Sequence, residues 1–461
     1  MKAKNILPAA VGFLVGALIL TWWLSPRLAA WFPEEGLVSS TGTIGMTFTK
    51  PVTSDEVASN LLIEPAVKGE FWKENNTVWF RPQKGFNYDQ VYTVTLTSGL
   101  KSANGLPSLF PYEKSFQVSK PRLIFLLEDD GVVNVWQQST SETPQQVTME
   151  SEGVWDYSLL SDGKGILVSS IDKNGTDDLV QIGFDGQREI LLECRDVRCR
   201  AGRQQPGGQL IAYERQSIDE SAKGSEVWLL DALTGSEQPA YSRELAAEMG
   251  LEGLESRFPR WSRDGKYLAY YKPDARLIII EPIFGGRPIL IPANLQMLGE
   301  WSPERNQIAF IEQVFDVNDL PVLQDEEGED EAYKQPVLFN HLIVADVDTG
   351  EVVDLSEGER INDGLPVWHP NGESLAVPRE NSGSGRQIWV VEPEGKKWLK
   401  LTDDPFFHHS GLSWSPDGNK LALMLVPVEA TNLPAQVQAL DLESGEMTLI
   451  SERGFLPGWL P

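Results

Sequence analysis

The chain has 461 residues, 41% of them hydrophobic and 23% charged, a folded composition long enough for roughly two to four domains and unlike that of a disordered chain. Its 39 Lys and Arg stand against 67 Asp and Glu, a net charge of −28. That balance repels a phosphate backbone and an anionic lipid surface, and it excludes nucleic acid as a natural partner.

From the N-terminus, the uncharged stretch Ile6 to Leu24 is close to the roughly 20 residues that cross a bilayer core as a helix. Lys2 and Lys4 precede it, and only Arg27 follows before Glu34 and Glu35. The positive-inside rule therefore predicts that residues 1–31 form a cytoplasmic tail and a transmembrane signal anchor, with the bulk of the chain extracytoplasmic. A cleaved signal peptide is the rival reading; the apolar run is long for one, and Leu28-Ala29-Ala30 is a poor cleavage site. No Cys lies at the end of the run, the cysteines being Cys194 and Cys199, which excludes a lipoprotein attachment.

Residues 36–120 change to short alternating runs: Thr43 to Phe48, Leu61 to Ile63, Thr77 to Phe80, Val91 to Leu96 and Ser115 to Val118. In Val91–Leu96 the larger apolar side chains Tyr92, Val94 and Leu96 share one face, the period-two pattern of a half-buried strand. So many short strands predict a β-sandwich. The segments MTFTKPV, LLIEP, GEFWKENNTVWFRP, YDQVYTVTLTSGLKSANG and SFQV resemble bacterial Ig-like domains of surface proteins. That resemblance implies a spacer or adhesive module. Phe71 and Trp72 are read as strand-face or core residues before a binding spot.

Residues 121–461 repeat a unit of the form W-S-P-D-G-K-x-L-A-Y, starting at Trp261, Trp301, Trp368 and Trp414, with weaker copies at Leu159 and Gln204 and a truncated one at Trp459. Ser-Pro-Asp-Gly has the chemistry of a type I turn, and an apolar strand follows each. A second landmark recurs downstream, an apolar strand with an acidic or glycine turn, as in EVWLLDALTG, HLIVADVDTG and QVQALDLESG; with VVNVWQQST it has seven copies. The spacing centres on the roughly 40 to 50 residues of one four-stranded propeller blade. The first unit lacks a Trp-turn segment and the C-terminus supplies one, which predicts a blade closed by both ends of the chain. The repeats resemble the WD-repeat-like propeller of TolB and its relatives. TolB-type propellers have six blades, whereas the copies here predict seven, with six as the alternative. The expected fold class is thus all-β: an anchor helix, an Ig-like sandwich and a propeller.

Candidate chemistry is sparse. A propeller-bearing peptidase would need a G-x-S-x-G turn with Asp and His behind it, and the sequence has none; Ser382–Gly385 reads as a flexible turn. Cys194 and Cys199 flank Arg-Asp-Val-Arg and are expected to form a disulfide rather than a zinc site, which needs four ligands. His408 and His409 are read as part of a solvated loop, and Asp172–Asp178 as a hairpin turn rather than a calcium loop. The insertion carrying Asp325, Glu326, Glu327, Glu329, Asp330 and Glu331 repels itself and predicts a solvated loop; weak cation binding or docking to a basic partner is the functional alternative.

No cofactor is expected, and no catalytic residue. The sequence points to an envelope protein that is not an enzyme, held at the membrane by its helix and using the propeller to recognise a protein, peptide or glycan. Two alternatives stand beside it: an enzyme whose groups converge in the channel from several blades, and a purely structural spacer.

Overall fold

The computed structural model describes residues 22–32, 37–38, 42–83, 85–103, 105–118, 121–139, 143–219, 224–241, 243–253, 255–316, 337–380, 385–394, 396–429 and 433–460. The expected anchor lies outside them except for residues 22–24, and the acidic run 325–331 lies outside them entirely. Among the described residues no helix is long and apolar enough to cross a membrane. The chain divides into two units, one ending at Pro121 and one spanning Arg122–Leu460.

The first unit is a sandwich of β1 (Leu28–Phe32), β2 (Leu37–Val38), β3 (Ile44–Phe48), helix α1 (Ser54–Asn60), β4 (Leu61–Glu64), β5 (Gly69–Glu74), β6 (Thr77–Pro82), β7 (Val91–Leu96) and β8 (Tyr112–Val118). One sheet has the order β1-β3-β6-β5 and the other β2-β8-β7-β4. Period-two patterning puts Tyr92, Val94 and Leu96 of β7 in the core, where Tyr92 packs on Phe86 and Phe116. Ile44, Met46, Phe48, Val78 and Phe80 supply the other inner face. The sandwich begins earlier than the sequence pattern suggests: β1 lies ahead of Gly36, pairs with β3 and packs Leu28 and Trp31 against the core. Its run Leu-Ala-Ala-Trp-Phe reads equally well as the end of an apolar anchor, so local pattern alone assigns it to the wrong element.

The second unit is a propeller of seven four-stranded antiparallel blades among the described residues. The inner strands of blades 2 to 7 are Val154–Leu159, Val197–Gln204, Arg257–Trp261, Leu295–Trp301, the pair Asn362–Asp363 and Val367–Trp368, and Phe407–Trp414. Blade 1 is built from Arg122–Asp129, Val132–Gln138 and Gln145–Gln146, and takes its inner strand, Phe455–Leu460, from the end of the chain. Single parallel bridges join blade 2 to blade 3 and blade 5 to blade 6.

Second strands bury consecutive residues on both faces, as does the third strand Leu277–Pro282 of blade 4, which is why they read as continuous apolar runs such as Leu277–Ile280. Seven apolar clusters fill the gaps between successive blades. The last of them, Leu123, Phe125, Ala422, Val437, Ala439 and Trp459, joins blade 7 to blade 1 and closes the ring. The turns behave as their residues dictate. In Ser262–Gly265 and Ser415–Gly418 the glycine N–H donates to the serine carbonyl, the Ser Oγ accepts the N–H of the residue five on, and the glycine takes a φ of 66° or 71°. The second landmark is latched by an aspartate: Asp231, Asp346 and Asp441 each accept two backbone N–H bonds from the turn they start.

Candidate functional site

The inner strands surround the propeller axis, and a closed set of side-chain bonds holds them to one another. Trp261 Nε1 donates to the Arg203 carbonyl at 2.8 Å, Trp301 to Arg260 at 3.0 Å, Trp368 to Glu300 at 3.1 Å, Trp414 to Val367 at 3.3 Å and Trp459 to Ser413 at 3.0 Å. Each indole thus reaches the carbonyl of the residue preceding the repeat's first position in the blade before it. Where the Trp is replaced, by Leu159 and Gln204, other groups take over. Ser158 Oγ donates to the Gly202 carbonyl at 2.7 Å, and Tyr157 Oη donates to that of Leu456 at 2.6 Å. All seven junctions are bridged in this way, so the wall is rigid.

Most inner strands also carry a bulge just before the repeat's first position, between Val154 and Tyr157, Arg200 and Arg203, Arg257 and Arg260, Leu298 and Trp301, Ser410 and Ser413, and Phe455 and Gly458. Ala201, Phe258 and Leu456 sit there in the left-handed region, at φ of 52°, 61° and 50°, a conformation that costs non-glycine residues and re-aims neighbouring side chains. An inner strand packs against its blade and both neighbours, so a side chain exposed on it faces the axis. Trp155, Arg257, Gln296, Glu300 and Leu456 are exposed in this sense.

Charge is unevenly spread around this wall. Arg198, Arg200 and Arg203 lie on the inner strand of blade 3 and Arg257 and Arg260 on that of blade 4, while the other five inner strands carry no Lys or Arg. Arg200 pairs with the buried Asp177 and lies 3.7 Å from the centroid of the Trp155 ring. Arg257 pairs with Glu255, and Arg198 Nε donates to the Gly175 carbonyl. Arg260 Nε sits 3.2 Å from Glu300 Oε1 without an aligned hydrogen bond. Arg203 donates to the carbonyl of its own neighbour Gly202 and has no carboxylate in ion-pair range among the described residues.

Burial lowers the pKa of Arg260, with the Glu300 charge opposing and the Arg203 charge adding to the effect. Burial raises that of Glu214, which accepts the Phe258 N–H at 2.7 Å; that bond, Arg257 and Arg260 pull it back. Burial likewise pushes the Tyr157 hydroxyl up. This sector can therefore hold a negative group against guanidinium donors in a poorly solvated place.

Of the residues singled out by sequence, Cys194 and Cys199 form a disulfide, with Cα atoms 6.4 Å apart, that closes the loop from blade 2 into the inner strand of blade 3. Both are buried between these blades. His408 and His409 are not in a loop: they start the inner strand of blade 7, where the alternation of a strand sends one side chain inward and leaves the other half-buried. Asp172–Thr176 forms the hairpin expected of it. Phe71 packs against Phe80 and Trp72 stacks on Trp79, a strand-face role for both. The inner-strand arginines escape sequence reading because Arg203 and Arg260 meet only when neighbouring blades close; the hint was the clustering of Arg before two of the repeat starts.

Residues 25–118 match the bacterial Ig-like domain family. The chain is similar in fold to TolB from Acinetobacter baumannii, at 12% identity over 87% of this chain and 83% of that one with a TM-score of 0.43. It is similar also to puromycin hydrolase, at 11% identity over 73% of this chain and 54% of that one with a TM-score of 0.51. An 82-residue stretch is 32% identical to the uncharacterized peptidase YuxL of Bacillus subtilis (strain 168), which is 18% of this chain and 12% of that protein. The chain thus spans about an eighth of that relative's length, and likenesses this distant describe fold and not activity.

Proposed function

We propose that this chain is a membrane-anchored recognition protein of a bacterial cell envelope. The apolar stretch before Ser25 holds it at the membrane, the Ig-like domain serves as a spacer, and the propeller channel takes up part of a protein, peptide or glycan partner. The observation that carries the reading is the channel wall, a ring bonded at every junction that exposes Trp155 and Leu456 beside a sector of arginines. A rigid wall loses little freedom on binding, and exposed aromatic and Arg side chains are what interfaces use as anchors. The hydroxyls and imidazoles of the wall suit holding more than attack. Tyr157, Ser158 and His409 are bonded to backbone carbonyls, and His408 Nδ1 accepts the Arg386 N–H, so none of them forms a nucleophile–base pair with another.

The test places a photoreactive benzoylphenylalanine at Leu456 on the inner strand or at Leu449 on the outer strand of blade 7, which are similarly exposed. Cells making the full chain are irradiated and the membrane fraction is analysed. One defined adduct at position 456 and none at 449 is the expected result. Equal labelling at both positions, or recovery of the chain outside the membrane fraction, overturns the reading.

A further inference from the structure

Resting on that reading, we infer that the channel binds a carboxylate carried by a peptide chain, held by Arg203 and Arg260 and flanked by Trp155 and Leu456. The charge pattern is the first ground. A chain of net charge −28 places all the Lys and Arg of its described inner strands on two adjacent ones, and their acidic residues are only Asp156, Glu300 and Asp363. The second ground is how those charges are already used. Arg198, Arg200 and Arg257 are engaged by Gly175, Asp177 and Glu255. Arg260 is shared with Glu300, whose side chain is 57% exposed and free to swing aside. Arg203 has only a backbone carbonyl.

Arg260 has Glu300 beside it and feels the Glu214 and Asp156 charges as well, whereas Arg203, whose like charge adds to the effect of burial on Arg260, has no carboxylate in ion-pair range among the described residues. A ligand anion there gives Arg203 a charged partner in a poorly solvated place, where charge-assisted Arg–carboxylate bonds are strong.

The surroundings choose the class of ligand. Leu456 presents aliphatic surface to the axis, and Trp155 the part of its ring that Arg200 does not cover. Aliphatic walls bury apolar side chains, which a peptide has. The anion is an Asp or Glu side chain or a C-terminal carboxylate, flanked by apolar residues.

The probe is a positional-scanning library of octapeptides, made once as free acids and once as carboxamides and titrated against the full-length protein in detergent. Acidic peptides with apolar neighbours are expected to bind, more weakly as salt rises. Retained binding of the carboxamides assigns the anion to a side chain, and its loss assigns it to the C-terminus. Arg203→Gln should weaken the best peptide roughly tenfold or more, Arg203→Lys less, and Glu300→Gln should tighten it several-fold by releasing Arg260. The Glu300 gain is a readout that mere destabilisation cannot produce, and an unchanged melting temperature shows that the Arg203 variant is folded. Selection of neutral or basic peptides, or acidic binding indifferent to Arg203→Gln, overturns the inference and leaves channel recognition standing. No octapeptide binding while an oligouronate binds overturns the peptide class. No binding by either, with a Leu456 adduct still formed, overturns the carboxylate site alone.

Discussion

Two buried histidines carry opposite pH dependence because their partners differ. His341 Nδ1 faces Asp354 Oδ2 at 2.8 Å and Nε2 faces the Glu359 carbonyl at 2.9 Å. Both partners only accept, so both ring nitrogens donate and the imidazolium is the form that fits. Burial opposes that charge, but the Asp354 bond and charge, the Glu359 carbonyl and the Asp363 charge outweigh it and raise the pKa above 6.5. The stability from His341 is therefore complete below 6.5 and is lost as pH rises through the folded-state value. For His409 burial dominates and lowers the pKa. Its contribution is present above 6.5 and is lost as pH falls toward the folded-state value. His341→Gln is expected to lower the melting temperature more at about pH 5.5 than at about pH 8.5, and His409→Gln the reverse; thermal melts at both values check this, and equal losses at both refute the assignment. None of this is legible beforehand. His341 is tied into a network with Arg379, Asp363 and Ser356 whose members come from two blades and the loop between them, and a sequence shows no partner so assembled.

The repeat signature was legible because its chemistry is local. Ser, Pro or its substitute, Asp and Gly set a turn by their own backbone preferences, and the strands beside them are apolar because blades bury both faces. The role of the Trp is not local. Its ring packs between blades, and its N–H satisfies a carbonyl of the preceding inner strand. Trp301→Phe should keep most of the packing but leave the Arg260 carbonyl unpaired, at a cost of about 1–3 kcal/mol. Trp301→Ala also opens a cavity and should cost about 3–5 kcal/mol. Denaturant unfolding separates the two, and a Phe variant as stable as the parent would mean that the bond contributes nothing. Degenerate copies show the same logic. With Gln204 in place of Trp, the amide Oε1 accepts the Ser161 N–H at 2.9 Å, so the junction between blades 2 and 3 is still bridged. Hydroxyl latches such as Thr148, which accepts the Val135 N–H, and Thr402, which accepts that of Ile388, recur at the outer strands. Single threonines after short strands give too little pattern to notice.

Closure of the propeller follows from a mismatch visible along the whole chain, a first unit without a Trp-turn segment and a last segment without a unit. The inner strand Phe455–Leu460 pairs with Arg122–Asp129, buries Trp459 and Leu460 on either side of blade 1, and receives the Tyr157 hydroxyl at Leu456. It therefore contributes to the two interfaces that join blade 1 to its neighbours, whereas an inner strand elsewhere is also tied to its blade by a short covalent turn. Because the ring is closed, opening one junction removes support from both neighbours, and loss of this strand bares the edge of Arg122–Asp129, whose core Leu123–Leu127 is apolar and buried. A chain lacking residues 455–460 is expected to melt roughly 10 °C lower and to self-associate through that edge, while Trp459→Phe, which keeps the strand and the ring but loses the bond to Ser413, should lose only a few degrees. Calorimetry and light scattering read the two effects separately. A truncated chain that melts with the parent and stays monomeric would show that the blades stand without closure, and would remove the rigidity on which channel recognition rests.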